Sequence, residues 1–289
     1  MTTTLLAVLG TGVVDASTPV ARADDAGLIR GDGCFEGCRL RRDADGHVSI
    51  DKLEAHLARM SRSAAALAIE FDEPAWRGLV DEALAAWTGE DEAAVKLLLS
   101  RGSASAGVPS GFVWITDLGP DYARWRRDGI TVVSLRRGIP ATAFADAPWL
   151  LGGVKTLSYA INMAAAREAE RRGVDDVIFV SDDGVVLESP TSTVVWATGT
   201  ATDGRTLHTT PTGDTGILGG TTQHRLYANA AEAGWRTTYT LAAVDDLHAA
   251  DAVWLVSSVR GPVEVTELDG KARVRMPEVD AEIRRLAGF

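Results

Sequence analysis

The chain has 289 residues, 46% hydrophobic and 24% charged, the balance of a globular protein with room for one large core or two smaller ones. Its 29 basic and 40 acidic side chains leave a formal net charge of −11, which opposes binding to phosphate backbones and anionic membrane. These values set aside a disordered chain, and nucleic acid or membrane as partners.

The first third alternates strands and helices. Thr4 to Leu9 reads as a short apolar strand and Gly33 to Leu40 as another, followed after a turn by Val48 to Ile50. The two cysteines of the chain, Cys34 and Cys38, fall on one face of the second strand with Glu36 between them, a poor geometry for a disulfide. Two thiols indicate a reducing compartment and rule out a four-thiolate metal site, and no metal is expected. No basic residue precedes Arg22 and no apolar run approaches the ~20 residues that span a bilayer, so a cytoplasmic location is expected.

Asp51 is expected to cap a helix with Leu53, Leu57, Met60, Ala64 and Leu67 on one stripe, and His56 and Arg59 together beside it. A second helix starts near Asp72 and Pro74 and turns Trp76, Leu79, Val80, Ala83 and Trp87 inward; strands at Ala94–Ser100 and Phe112–Thr116 follow. The polar stretch 119–129, opened by Gly119-Pro120, reads as a linker between a smaller α+β domain over 1–118 and a larger domain over 130–289.

In the larger domain, Ile130 to Leu135 is a strand, and a Gly152-Gly153 turn carries Lys155 towards a helix from about Ser158 to Arg172. Strands are expected at Val177–Val180, Val185–Glu188, Thr193–Ala197 and Val253–Val256, and a helix from Thr221 and Thr222 to Gly234.

Four places carry candidate chemistry. Lys155, after two glycines, is either a nucleophilic amine in a site or a solvated helix-entry lysine. Glu188 puts a carboxylate at the end of a β-branched run, as a site residue or a sheet-edge charge. Gly216-Ile-Leu-Gly-Gly-Thr-Thr222 opens a helix, where backbone N–H groups and the helix dipole face an anion; a plain helix start is the alternative. Ser257-Ser258 precedes Arg260-Gly261 and serves the same anion or an ordinary turn. Gly10-Thr-Gly12 after an apolar strand lacks the third glycine and following helix of a dinucleotide loop.

Six segments in register resemble the fold-type IV pyridoxal-phosphate enzymes, which include branched-chain and D-amino-acid aminotransferases and 4-amino-4-deoxychorismate lyases. They are Arg30-Gly-Asp-Gly-Cys-Phe-Glu-Gly37, His56-Leu-x-Arg59, Lys155-Thr-Leu-Ser-Tyr-Ala-Ile-Asn162, Asp183-Gly-x-Val-x-Glu188-Ser-x-Thr-Ser192, Thr215-Gly-Ile-Leu-x-Gly-Thr221 and Ser257-Ser-Val-Arg-Gly261. The resemblance implies a two-domain α/β (α+β) architecture like that of D-amino-acid aminotransferase, with pyridoxal 5'-phosphate as cofactor. It implies that Lys155 forms the Schiff base and moves the proton, that Glu188 pairs with the pyridine nitrogen, and that Arg59, Thr221, Thr222 and Ser258 bind the phosphate, with Tyr159 against the cofactor. It also implies a homodimer acting on a small molecule.

Within the family, the D-amino-acid enzymes place Arg-x-His after an Arg-Gly pair, whereas Arg101-Gly102 here leads into Ser-Ala-Ser-Ala-Gly-Val. Ser257-Ser-Val-Arg-Gly261 is closer to the turn of the lyases. The expected activity is therefore aminodeoxychorismate lyase, releasing pyruvate and 4-aminobenzoate for folate synthesis, with Arg260 binding a substrate carboxylate and Arg136 and Arg137 as weaker candidates. A class IV aminotransferase acting on branched-chain or D-amino acids is the alternative, and a non-catalytic binding protein on the same scaffold a further one.

Overall fold

In the computed structural model, which describes residues 3–200 and 204–289, the alternating apolar pattern of the first third becomes an antiparallel sheet. The elements in order are β1 (Thr4–Val8), β2 (Gly12–Val14), α1 (Ala26–Arg30), β3 (Gly33–Arg42), β4 (Val48–Ile50), α2 (Leu53–Ala66), α3 (Glu73–Ala86), β5 (Glu92–Ser100) and β6 (Ser110–Asp117). Among the described residues the sheet has six strands in the order β2-β1-β6-β5-β3-β4. Because strand side chains alternate, one face gathers Cys34, Cys38, Leu40, Val95, Leu97, Leu99, Val113 and Ile115. Against it pack Leu57, Met60 and Ala64 of α2 and Trp76, Leu79, Val80 and Ala83 of α3, each large side chain contributing roughly 1.5–3 kcal/mol by leaving water. Both cysteines are free and buried in this core.

Asp72 caps α3 as expected, accepting from the Ala75 N–H at 3.1 Å. Asp51 does not cap α2. Its carboxylate is taken by Arg39 Nε at 2.7 Å and Arg41 Nε at 3.0 Å, and Lys52, in the left-handed region at φ 58°, begins the helix instead.

The second unit comprises α4 (Pro120–Asp128), β7 (Ile130–Arg136), α5 (Ala160–Arg172), β8 (Asp176–Val180), β9 (Thr193–Thr198), β10 (Thr206–Thr209), α6 (Thr221–Glu232), β11 (Arg236–Tyr239), α7 (Val244–Ala249), β12 (Ala252–Ser257), β13 (Gly261–Leu268), β14 (Lys271–Ala272) and α8 (Pro277–Ala287). Its described strands form a mixed sheet in the order β11-β10-β9-β12-β13-β7-β8, with β14 on β13; β7 is parallel to both its neighbours. Leu226, Tyr227 and Ala230 of α6 and Ile283, Leu286 and Ala287 of α8 pack with Val195, Ala197, Trp254 and Val256.

Two expectations are corrected. The division falls between Gly119 and Pro120, and 120–128 is α4 of the second unit, not a linker: Pro120 opens a helix whose Trp125 packs on the core of that unit. The run Val185–Glu188 is no strand. Phe179 and the run do exchange bonds, Leu187 N–H to Phe179 O at 2.8 Å and Phe179 N–H to Glu188 O at 2.9 Å, but the pairing with β8 stops at one isolated bridge, Val180 with Val186, and never extends into a ladder.

The segment Val154–Tyr159 belongs to the first unit. It lines the free edge of β3, with Phe35 N–H donating to Lys155 O at 3.0 Å and Leu157 N–H to Gly33 O at 2.8 Å. Lys155 is therefore held in extended backbone, five residues before α5 begins.

Candidate active site

In the first unit, Lys155 Nζ stands over the Phe35 ring at 4.5 Å from its centroid and over the Tyr159 ring at 5.7 Å. The two rings meet edge to face at 5.2 Å, so the ammonium is placed by an aromatic corner. The Lys155 backbone is fixed independently of its side chain, through Phe35 and through Ser63 Oγ, which accepts from Lys155 N–H at 3.3 Å.

On the opposite face of β3, Glu36 is fully buried between the cysteines. Arg59 Nε and Nη2 donate to its two oxygens at 2.7 and 2.6 Å, and His56 Nδ1 approaches at 2.7 Å. Burial alone would raise the Glu36 carboxyl, but the bonds from Arg59 and His56 override it and hold it below the ordinary carboxylate range. Burial pushes His56 down, so its ring is neutral and donates through Nδ1 to the acceptor-only carboxylate. Sequence spacing brought His56 and Arg59 together; their partner Glu36 was missed, though a carboxylate midway between two inward cysteines was the signal.

Glu36, Cys38 and His56 offer ligand atoms within 4.8 Å of one another. Both carboxylate oxygens are engaged, and burial first, then Glu36, holds the Cys38 thiol well above its usual value, so the cluster reads as an ion-pair network. The Cys34 thiol is pushed up to about 12, chiefly by burial.

Removing Arg59 therefore orphans Glu36. Arg59→Ala is expected to lower stability by about 3–5 kcal/mol, as for a buried ion pair losing one partner, and to weaken cofactor binding. Adding Glu36→Gln should restore part of the stability without restoring affinity; denaturant titration and cofactor titration separate the two effects.

In the second unit, α6 starts at Thr221 behind Gly220, which gives no side-chain cap. A Cβ at Gly220 would meet Thr193 Oγ1 at 2.6 Å, so any side chain here would have to push Thr193 aside. Thr221 Oγ1 and Thr222 Oγ1 converge on Ser258 Oγ at 2.9 and 3.1 Å. Three hydroxyls at the N-terminus of a 12-residue helix form a donor set suited to a phosphate. Glu188 Oε2 accepts from Leu218 N–H at 3.1 Å, so its carboxylate is aimed by the same glycine-rich loop.

Arg260 stands differently from the expectation of a substrate ligand. Its guanidinium is buried, donating from Nη2 to Asp176 Oδ2 at 2.7 Å and to Ser192 Oγ at 2.9 Å, with Trp125 alongside. Asp176 also accepts from Ser189 Oγ at 3.0 Å. Arg260 thus ties the Ser258 turn to the Glu188 segment, and a substrate carboxylate would have to break that pair. Arg136 pairs with Asp182 at the surface, and Arg137 lies over Phe179.

The chemistry of these groups fits pyridoxal phosphate: an amine for its aldehyde, a carboxylate for its pyridine nitrogen, and hydroxyl and N–H donors for its phosphate. The fold and these donors define a fold-type IV pyridoxal-phosphate enzyme. Residues 33–268 match the model of the amino-transferase class IV family, and the chain belongs to that family.

Among its relatives is a bifunctional aminodeoxychorismate lyase / D-amino acid transaminase of Mycobacterium tuberculosis, 40% identical over 277 residues and 94% of each chain. A solved hypothetical aminotransferase from Mycobacterium tuberculosis in its PLP-bound form has a TM-score of 0.90 at 38% identity, over 99% of this chain and 98% of that one. A fold IV-transaminase from Curtobacterium pusillum has a TM-score of 0.88 at 38% identity, over 99% of this chain and all of the other. Among the described residues no helix is long and apolar enough to cross a membrane.

Proposed function

We propose that this chain is a pyridoxal-phosphate-dependent aminodeoxychorismate lyase, converting 4-amino-4-deoxychorismate to 4-aminobenzoate and pyruvate. The observation that carries the choice is the fate of Arg101. Its guanidinium bonds Asp32 at 2.6 and 3.2 Å and the carbonyls of Leu67 and Ala68, and the following residues Ser103–Val108 supply no second cation. A carboxylate trap of the D-amino-acid type is therefore not built there. The lyase half of the relative's name supports the same reading.

The bound cofactor supplies an electron sink for charge developing at the carbon that bears the substrate nitrogen. Lys155 Nζ takes the proton from that carbon. Glu188 holds a proton at the pyridine nitrogen, keeping the ring electron-poor. Arg59, Thr221, Thr222 and Ser258 anchor the phosphate, and Tyr159 packs beside Lys155. The C–O bond to the neighbouring enolpyruvyl group then breaks, the departing enol gains a proton to become pyruvate, and the ring becomes aromatic.

Amino transfer is a second reading, supported by the transaminase half of the same relative's name, and it shares the Lys155 step. The family resemblance supports a homodimer, and two free buried thiols support a reducing, cytoplasmic location.

The test mixes holoenzyme with aminodeoxychorismate alone. A lyase forms pyruvate and 4-aminobenzoate over many turnovers without added oxoacid and keeps its cofactor in the aldehyde form. Brisk amino transfer from simple amino acids, with no product from aminodeoxychorismate, overturns the proposal.

A further inference from the structure

The sheet of the first unit has a second face, away from α2 and α3. On β5, Ala93, Val95, Leu97 and Leu99 are buried in the core, so Ala94, Lys96 and Leu98 point the other way. Register places Lys96 between Gly37 on β3 and Trp114 on β6, and Leu98 between Phe35 and Phe112. Thr156 pairs with Cys34, which sets Lys155 beside Phe35 on this same face.

Two ammonium groups thus share one ring. Lys96 Nζ is 6.0 Å and Lys155 Nζ 4.5 Å from the Phe35 centroid, so they are no further apart than the sum of those distances. Lys96 is exposed, and among the described residues it has neither an ion pair nor a hydrogen bond. The position opposite it is open: a Cβ added to Gly37 would meet nothing within 4 Å. An unpaired cation, a gap with an aromatic wall and the reacting amine lie together on one sheet face.

We propose that Lys96 is a specificity residue that binds the carboxylate of the substrate remote from its reacting amine, with the substrate ring over Gly37. This rests on the reading that Lys155 is the reacting lysine. Across a six-membered ring, an amine and a para carboxylate oxygen are about 6 Å apart by ordinary bond lengths. A charge-assisted contact adds about 2.8 Å, and the total stays below the upper bound that the two distances to the Phe35 ring allow. A monocarboxylic amino acid such as D-alanine has no carboxylate at that reach, so Lys96 favours the ring-bearing substrate over it.

The test uses holoenzyme carrying Lys96→Met, Lys96→Arg or Gly37→Val. Lys96→Met should raise KM for aminodeoxychorismate about 10- to 100-fold, the size of a charge-assisted bond, with a smaller change in kcat and little change in the half-reaction with D-alanine. Lys96→Arg should stay within a few fold of wild type. Gly37→Val, for which the fold has room, should also raise KM by filling the gap.

A second readout needs no turnover: binding of 4-aminobenzoate against aniline, followed by the absorbance of the bound cofactor. Wild type should prefer 4-aminobenzoate, and Lys96→Met should lose that preference. Equal KM and equal preference in Lys96→Met overturn the inference. Absence of lyase turnover in wild type overturns the function proposed above, while the binding comparison still decides the role of Lys96.

Discussion

A Lys155→Ala protein is expected to lose turnover by about 10⁴-fold or more, because in the function proposed above the same nitrogen both holds the cofactor and moves the proton. The visible absorbance of covalently held cofactor should vanish with it. Folding should not suffer: the Lys155 N–H is tied to Ser63 Oγ on α2 and its carbonyl to Phe35 N–H on β3, and alanine keeps both bonds. Thermal stability of the apo-protein is then within about 0.5 kcal/mol of wild type, as for substitutions that touch no core contact. Retained turnover with a normal spectrum would remove Lys155 from the mechanism.

Glu188→Gln should lower the rate of proton removal by about 10²- to 10³-fold, the cost of losing one preorganised charge at a reacting centre. The amide oxygen of glutamine still accepts from Leu218 N–H, as Glu188 Oε2 does at 3.1 Å, so the loop keeps its shape and the change isolates the charge. Cofactor remains bound while single-turnover proton removal, measured by stopped-flow absorbance, slows. A wild-type rate would make Glu188 only a loop residue that holds Leu218 N–H.

The strands and helices of the first unit were legible because each has a clear period: the α3 stripe of Trp76, Leu79, Val80 and Ala83 is buried as its spacing implies. The helix start behind the glycine run was legible too, and the structure brings its Thr221 and Thr222 hydroxyls to Ser258 Oγ. Pairings distant in sequence were not. Arg260 follows Ser258, which suggested a ligand; nothing local reveals that Asp176, 84 residues earlier, meets it in the mixed sheet.

Asp51 precedes a helix as a cap would, yet Arg39 and Arg41 on the neighbouring strand compete for it. The 119–129 stretch looked like a linker because α4 is mostly polar; one apolar anchor, Trp125, is enough to dock it. Lys96 drew no notice for the opposite reason: a lysine in an alternating strand reads as solvated, and only the register with Gly37 and the shared Phe35 ring give it a place.

If pyridoxal phosphate is held through one amine, only four lysines of the chain can supply it: Lys52 begins α2, Lys96 and Lys155 share Phe35, and Lys271 is on the exposed β14. Holoenzyme reduced with borohydride, digested and sequenced by mass spectrometry should carry the phosphopyridoxyl group on the peptide containing Lys155, near one equivalent per chain. The group on Lys96, or on no lysine at all, would remove Lys155 as the residue that holds the cofactor.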